Sequence, residues 1–139
     1  MHDEALTRVA ESSHPESSRP ISPAVHAVLD YTVAATFLGV AAWFAGRHRR
    51  AAALAFTNGV MVAVMSMLTD YPGGLLPVLS FRGHRTGDVL QAALAGAGPM
   101  LFGFAGDREA AYFYAQAASE AGVVAATDWD AGAVWSARH

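Results

Sequence analysis

Cysteine is absent, and its absence removes disulfides, thiolate zinc sites, iron–sulfur clusters and a cysteine nucleophile together. Lysine is absent as well. The nine basic residues are all arginine, set against 12 acidic residues for a net charge of −3, and they form no basic stripe. Nothing in that pattern neutralises a phosphate backbone, so nucleic acid is excluded as a partner. Charge of either sign is scarce: 15% of residues are charged, against roughly 25% in an ordinary soluble domain, while 53% are apolar. A surface built from these residues cannot be dressed for water in the usual way. There is no glycine-rich phosphate loop, serine nucleophile elbow or dinucleotide fingerprint, which leaves those enzyme classes without support. At 139 residues the chain has room for one compact domain.

The charges that do occur are unevenly placed. Six of the 21 fall in the first 22 positions, a Ser/Pro/Glu-rich run whose low apolar content predicts a disordered tail over residues 1–22. That run lacks the basic start, apolar stretch and small-residue cleavage site of a secretory signal. Four apolar stretches follow, Ala24–Gly46, Ala51–Leu68, Val89–Ala105 and Ala110–Ala126, of 23, 18, 17 and 17 residues. A hydrocarbon core about 30 Å thick needs roughly 20 helical residues, with a range of about 17–25. By length all four can span, and none has the polar face that a soluble four-helix bundle requires. The expectation is an all-α fold: a four-transmembrane-helix bundle over residues 23–128, with residues 129–139 as a C-terminal tail. Its first partner is the lipid bilayer.

Boundary signals agree. Ser22-Pro23 is an N-cap followed by proline at the first helical position, where a missing N–H costs nothing. Arg47-His48-Arg49-Arg50 makes a polar turn, Tyr71-Pro72-Gly73-Gly74 stops the second helix, and Asp107-Arg108-Glu109 turns the third into the fourth. The expected architecture is two helical hairpins joined by a linker from Asp70 to Arg85.

The hairpins are copies of each other. Shifting the sequence by 58 positions lays residues 80–128 on residues 22–70 without a gap, matching Ser22 to Ser80, His26 to His84, Asp30 to Asp88, Phe44 to Phe102 and Thr69-Asp70 to Thr127-Asp128. Twelve of the 49 positions are identical, half of them alanine or arginine matches that composition alone produces; the His, Asp, Thr and Ser matches carry the case. Each half crosses an even number of times, so the two share one orientation about an axis along the membrane normal. With 30 Ala and 13 Gly, close approach through pairs such as Ala35/Gly39 and Ala92/Gly96 is expected.

The repeat concentrates polar chemistry at one end. His26 and Asp30 are four apart on one helical stripe, and Asp70 closes the helix that returns to the same side. The duplication adds His84, Asp88 and Asp128. Three readings follow: a structural clasp in which each helix-end Asp pairs with the His of its own hairpin, a divalent-metal site, and a proton or cation relay. In the metal reading His26, His84, Asp70 and Asp128 are ligands, Asp30 or Asp88 is a base, and the chemistry is hydrolytic through a metal-bound water. Haem held by His26 and His84 is disfavoured, because four helices leave little room between them. A second polar set, Asn58, Gln91, Gln116 and Glu120, reads as a hydrogen-bonded seam inside the spans; the first half has Val62 where Glu120 stands. His48 lies in the opposite turn, and His2, His14 and His139 are in the tails. Trp43, Trp129, Trp135, Tyr31, Tyr71 and the Tyr112/Tyr114 pair fall near span ends, as interfacial anchors do.

The segment Asp88 to Gly106, with Gly98-Pro99-Met100-Leu101-Phe102-Gly103-Phe104 midway, resembles the SPW-repeat proteins, small prokaryotic membrane proteins in which a two-helix unit with a Ser-Pro-Trp motif is duplicated. By architecture the resemblance covers Ser22 to Asp128. This chain has Gly98-Pro99-Met100 in place of Ser-Pro-Trp, and Val40-Ala41-Ala42 with Trp43 next in the first half. The resemblance implies a multi-pass protein of the prokaryotic inner membrane and carries over no catalytic residues.

Arg47, Arg49 and Arg50 outnumber Arg19 around the first helix, which puts the first turn in the cytoplasm and both termini outside; Arg82 and Arg85 against Arg108 argue the other way for the third. Taken together, the sequence predicts a membrane component or accessory subunit, oligomeric or joined to other membrane subunits, with a membrane-embedded metal site as the rival reading.

Overall fold

A computed structural model describes residues 19–132. The tails expected over residues 1–22 and 129–139 therefore lie mostly outside the described residues, as do His2, His14, His139 and Trp135. The described chain is all-helical: α1 (Pro23–Phe44), α2 (Arg49–Leu68), α3 (Phe81–Leu101) and α4 (Ala110–Ala126). Three of the helices begin where a side chain takes up a free backbone N–H group, whereas α4 has no such cap at Glu109. Ser22 Oγ accepts from Val25 N and, one repeat later, Ser80 Oγ accepts from Gly83 N. His48 starts α2 differently, accepting the Ala51 N–H on Nδ1 at 3.0 Å.

The cap at Ser80 starts the third helix eight residues earlier than the apolar stretch beginning at Val89 suggested. Its first two turns hold Arg82, His84, Arg85 and Asp88, and the linker shrinks to the residues between Leu68 and Phe81. This changes the count of spans. Among the described residues, only α1 and α2 are long and apolar enough to cross a membrane by length and composition. The third helix spends its first turns on polar residues, and α4 stops at 17 residues.

Each hairpin packs internally, α1 on α2 and α3 on α4, and α2 joins the hairpins through α3. Two short backbone bridges close the ends, Thr69 with Leu79 and Ile21 with Thr127. They are the same bridge under the 58-residue shift. In each, the residue before a serine cap pairs with the end of the other hairpin's last helix: Leu79 N donates to Leu68 O at 2.8 Å, and Ile21 N to Ala126 O at 3.2 Å. The sequence repeat is thus matched by repeated contacts that exchange the halves.

The interior is divided. Toward the α1–α2 turn, Phe37, Leu54, Ala55, Ala95, Phe104 and Phe113 form an apolar core. His48 Nε2 lies 2.9 Å from Asp107 and Arg50 bonds Gly103 O at 3.0 Å, tying the two turns together. At the opposite end a polar group is buried, His26, Asp30, Ser66, Thr69, His84 and Thr127, beside a smaller apolar cluster of Ala27, Tyr71, Phe81 and Trp129, with Asn58, Gln91 and Glu120 toward the middle. Val28, Trp43, Phe56, Leu90 and Met100 face outward, each more than half exposed. Polar groups are thus buried at one end of the bundle while several large apolar side chains stand exposed on its outside.

Of the two small-residue pairs, Gly96 packs on Ala117 of α4, but Ala35 and Gly39 lie on the outer face of α1 with open space beyond. The closest approaches are elsewhere. A Cβ on Gly98 would collide with the Leu54 methyl groups, so α3 reaches α2 only because that position is bare. Gly98→Val is expected to destabilise the bundle by about 1–3 kcal/mol through overpacking. Gly39→Ala, in open space, is expected to hold or raise stability by roughly 0.5–1 kcal/mol. Thermal unfolding of the two variants in detergent checks both.

Candidate metal centre

Four side chains converge at the polar end. His26 and Asp30 project from α1 and His84 and Asp88 from α3, each pair one helical turn apart, so each hairpin contributes one imidazole and one carboxylate. His26 Nε2 lies 3.0 Å from Asp88 Oδ2 and 3.3 Å from Asp30 Oδ1. His84 Nε2 lies 3.0 Å from Asp30 Oδ2 and 2.9 Å from Asp88 Oδ1. Each carboxylate therefore bridges both imidazoles, and one ligand atom from each residue falls within 4.8 Å of all the others.

The other ring nitrogens are held by threonine, across the hairpins. His26 Nδ1 is 2.9 Å from Thr127 Oγ1, and His84 Nδ1 is 2.7 Å from Thr69 Oγ1. Each threonine hydroxyl gives its single hydrogen to a carbonyl one turn back, Thr69 to Met65 O at 2.6 Å and Thr127 to Val123 O at 2.7 Å. What remains on each Oγ1 is acceptor capacity, which assigns the imidazole proton to Nδ1. A neutral ring then turns its Nε2 lone pair on two carboxylate oxygens. That arrangement repels itself unless a proton or a cation stands between them. His84 Nε2 sharpens the point: it is buried, two carboxylate oxygens lie within 3.0 Å, and it makes a well-directed hydrogen bond to neither.

The aromatic walls come from the same repeat. Tyr71 and Trp129 occupy equivalent positions, each two residues past its threonine, and with Phe81 they enclose the imidazoles; Trp129 sits 4.9 Å from His26 and Tyr71 5.4 Å from His84, centroid to centroid. Both are buried, not interfacial anchors, whereas Trp43 remains exposed. The equivalence is not complete. Tyr71 OH donates to Asp30 Oδ2 at 2.8 Å, whereas Trp129 Nε1 turns away to Val124 O. Burial, and then the adjacent Asp30 charge, raise the Tyr71 phenol far above its ordinary range, so it remains a donor.

Asp70 and Asp128 are not part of this group. Each follows a buried threonine in extended backbone, where successive side chains take opposite sides, so the threonine enters the site and the aspartate leaves it. Asp128 Oδ1 instead accepts from the N–H groups of Asp130 and Ala131. The contact from each helix end to a histidine thus comes from Thr69 and Thr127 and runs to the other hairpin, not from Asp70 and Asp128 to their own. Sequence reasoning aligned both threonines and gave them no role, although their exact recurrence beside Asp70 and Asp128 was the available signal.

The second polar set separates into two pairs. Gln91 Nε2 bonds Asn58 Oδ1 at 3.1 Å between α3 and α2, and Gln116 Nε2 bonds Glu120 Oε1 at 3.1 Å within α4. Gln91 and Glu120 also share the lining of a partly open cavity of about 80 Å³ with His26, Asp30 and Asp88.

The donor set suits a divalent first-row ion: two imidazoles and two carboxylates neutralise a 2+ charge. With metal–ligand bonds of about 2.0–2.2 Å, tetrahedral neighbours stand about 3.3–3.6 Å apart. The N···O separations of 2.9–3.3 Å engage both oxygens of each carboxylate, and one donor atom per residue falls within 4.8 Å of the other three, so closing on an ion requires each carboxylate to commit an oxygen to it by a small side-chain rotation. Threonine oxygens on both Nδ1–H groups are the outer partners that hold a ligating imidazole in its tautomer.

Thr69→Val and Thr127→Val each leave a buried Nδ1–H without an acceptor. Each is expected to cost about 1–3 kcal/mol, and the double variant more. Imidazole ¹⁵N shifts would report loss of the Nδ1–H tautomer; unchanged shifts would show that the threonines do not set it. No family model, curated protein or solved structure matches the chain.

Proposed function

We propose that this chain is a four-helix integral membrane protein whose bundle holds one divalent first-row metal ion between His26, Asp30, His84 and Asp88. The observation that carries this reading is the pair of Nε2 atoms, each turned on two carboxylate oxygens while its Nδ1–H is held by a threonine of the other hairpin. A ligand set drawn equally from two repeats makes the ion a cross-link between them. The earlier ligand set, with Asp70 and Asp128, gives way to Asp30 and Asp88, which leaves neither as a spare base.

The membrane part of the proposal draws on α1 and α2, on the outward apolar side chains and on the polar interior. In it α3 and α4 complete the bundle across the bilayer, with the metal near one membrane face, and the kinship with SPW-repeat proteins and the prokaryotic inner membrane belong to the same proposal. A membrane component within an oligomer or larger assembly is compatible with a bound metal. Metal content separates a metal protein from a subunit whose cluster is only a clasp.

The test is elemental analysis of detergent-purified full-length protein. The expected result is about one equivalent of a divalent transition metal in the wild type, lost in His26→Ala/His84→Ala and in Asp88→Ala, and retained in Asp70→Ala and Asp128→Ala. Absence of metal in wild type after incubation with Zn²⁺, Mn²⁺ and Fe²⁺, with the double histidine variant merely less stable, would make the cluster a proton-bridged clasp. Imidazole and carboxylate must be unprotonated to hold a metal, so affinity should fall as the pH is lowered. Metal titrations at a series of pH values measure that slope.

A further inference from the structure

The four ligands obey the repeat, but the space beside them does not. The partly open cavity of about 80 Å³ meets the site along His26, Asp30 and Asp88, and it is also lined by Val62 from the first hairpin and Glu120 from the second. These are equivalent positions under the 58-residue shift, so a carboxylate stands in one half where a valine stands in the other. Glu120 is 93% buried, since only 7% of its surface is exposed. Its Oε1 takes the Gln116 amide, while Oε2 is buried without a protein partner. A buried carboxylate oxygen left unpaired is costly and calls for a donor. The cavity has ample room for one, because about 10–15 Å³ of this kind of volume suffices for a water. Gln91 and Ser119 line the same space and bring the polar partners of such a water to the two to four it needs.

Resting on the metal reading above, we infer that the centre is open on its cavity side and carries there a water ligand whose hydrogen is accepted by Glu120 Oε2. A structural metal site is closed by four protein ligands, whereas a reactive one keeps a position for water or a small molecule. Here the protein surrounds the tetrad with side chains on every side that the repeat makes symmetric: Thr69 and Thr127 behind the rings, Tyr71 and Trp129 beside them. The departure from symmetry at Val62 and Glu120 falls on the side where this cavity lies. Glu120 does not reach the ion's ligands by any direct contact; it acts through the water and is a positioning residue. The cavity limits exchangeable ligands to water and molecules of a few non-hydrogen atoms. A metal ion beside a carboxylate of this kind makes its water more acidic and gives the proton an acceptor, the arrangement from which metal-assisted hydration or hydrolysis of a small substrate proceeds.

Cobalt(II) reads coordination number directly, since four-coordinate tetrahedral Co²⁺ absorbs visible light several-fold more strongly than five-coordinate Co²⁺. The full-length wild type, Glu120→Gln and Glu120→Val are loaded with Co²⁺, and metal stoichiometry is measured before spectra are compared. The expected outcome is one Co²⁺ in all three, a weak five-coordinate spectrum in wild type and Glu120→Gln, and a several-fold stronger tetrahedral spectrum in Glu120→Val, whose valine reproduces the first repeat. A tetrahedral wild-type spectrum, or a Glu120→Val spectrum identical to a five-coordinate wild type, overturns the inference while leaving the metal site standing. Failure of wild type to bind Co²⁺ or any other divalent metal overturns the metal reading itself, and this inference with it. If Glu120→Val does not accumulate, Glu120→Leu takes its place with the same expectation, and the wild-type spectrum already decides whether the site is open.

Discussion

Burying two carboxylates and two imidazoles in one place is tolerable only if their charges cancel, and every other feature of this bundle is arranged around that requirement. The tetrad is neutral with two protons on the Nε2 atoms or with one divalent ion in their place. In both forms each carboxylate is bound to both hairpins. Neither hairpin can withdraw without leaving a buried, unpaired charge, and breaking such a pair from one side costs several kcal/mol. This coupling adds to an apolar core divided between a larger cluster near the α1–α2 turn, built around Phe37, Leu54, Phe104 and Phe113, and a smaller one of Ala27, Tyr71, Phe81 and Trp129 beside the tetrad.

Threonine, serine and aromatic residues extend the same logic outward. The threonine hydroxyls give their hydrogens to their own helices and their lone pairs to the opposite hairpin's histidine, so helix end and ligand are joined by one oxygen. Tyr71 donates to Asp30 at 2.8 Å, fixing that carboxylate more firmly than its counterpart, while Ser66 Oγ stands 3.4 Å from the same oxygen and bonds Val62 O more closely, at 2.8 Å. The positions equivalent to Ser66 and Tyr71 are Val124 and Trp129, which offer Asp88 no such donors. The repeat thus carries a symmetric set of one histidine and one aspartate per hairpin in unequal surroundings: Asp30 is anchored by a phenol and Asp88 is not, and both stand beside the pocket lined by Glu120.

How much of this was legible depended on the range of the interaction. Helical class and the first helix's start at Ser22-Pro23 are local matters of apolar runs and capping, and they were readable residue by residue. The repeat was readable because Ser, His, Asp and Thr recur at one fixed spacing, and it correctly grouped His26, Asp30, His84 and Asp88 at one end of the bundle. The start of α3 was not, because its first two turns are polar and an apolar window sees only the part beginning at Val89; the recurrence of Ser22 at Ser80 was the better guide. Asp70 and Asp128 were placed with the ligands because they sit at the correct end. Which of two adjacent side chains turns inward is decided by the extended backbone after the helix, and there the threonine, not the aspartate, points to the site.

The sequence by itself determined the composition, the helices and the duplicated arrangement of one histidine and one aspartate per hairpin, because these depend on neighbours within a turn or on identity at a constant shift. Only the tertiary structure decided that the carboxylates cross between hairpins, that the threonines hold the far nitrogens, and that Glu120 opens onto the same cavity as Asp30 and Asp88. Those relations join residues 62, 101 or 90 positions apart along the chain. No local preference encodes such a pairing, since it arises only when two hairpins pack closely enough for one to supply what the other leaves unsatisfied.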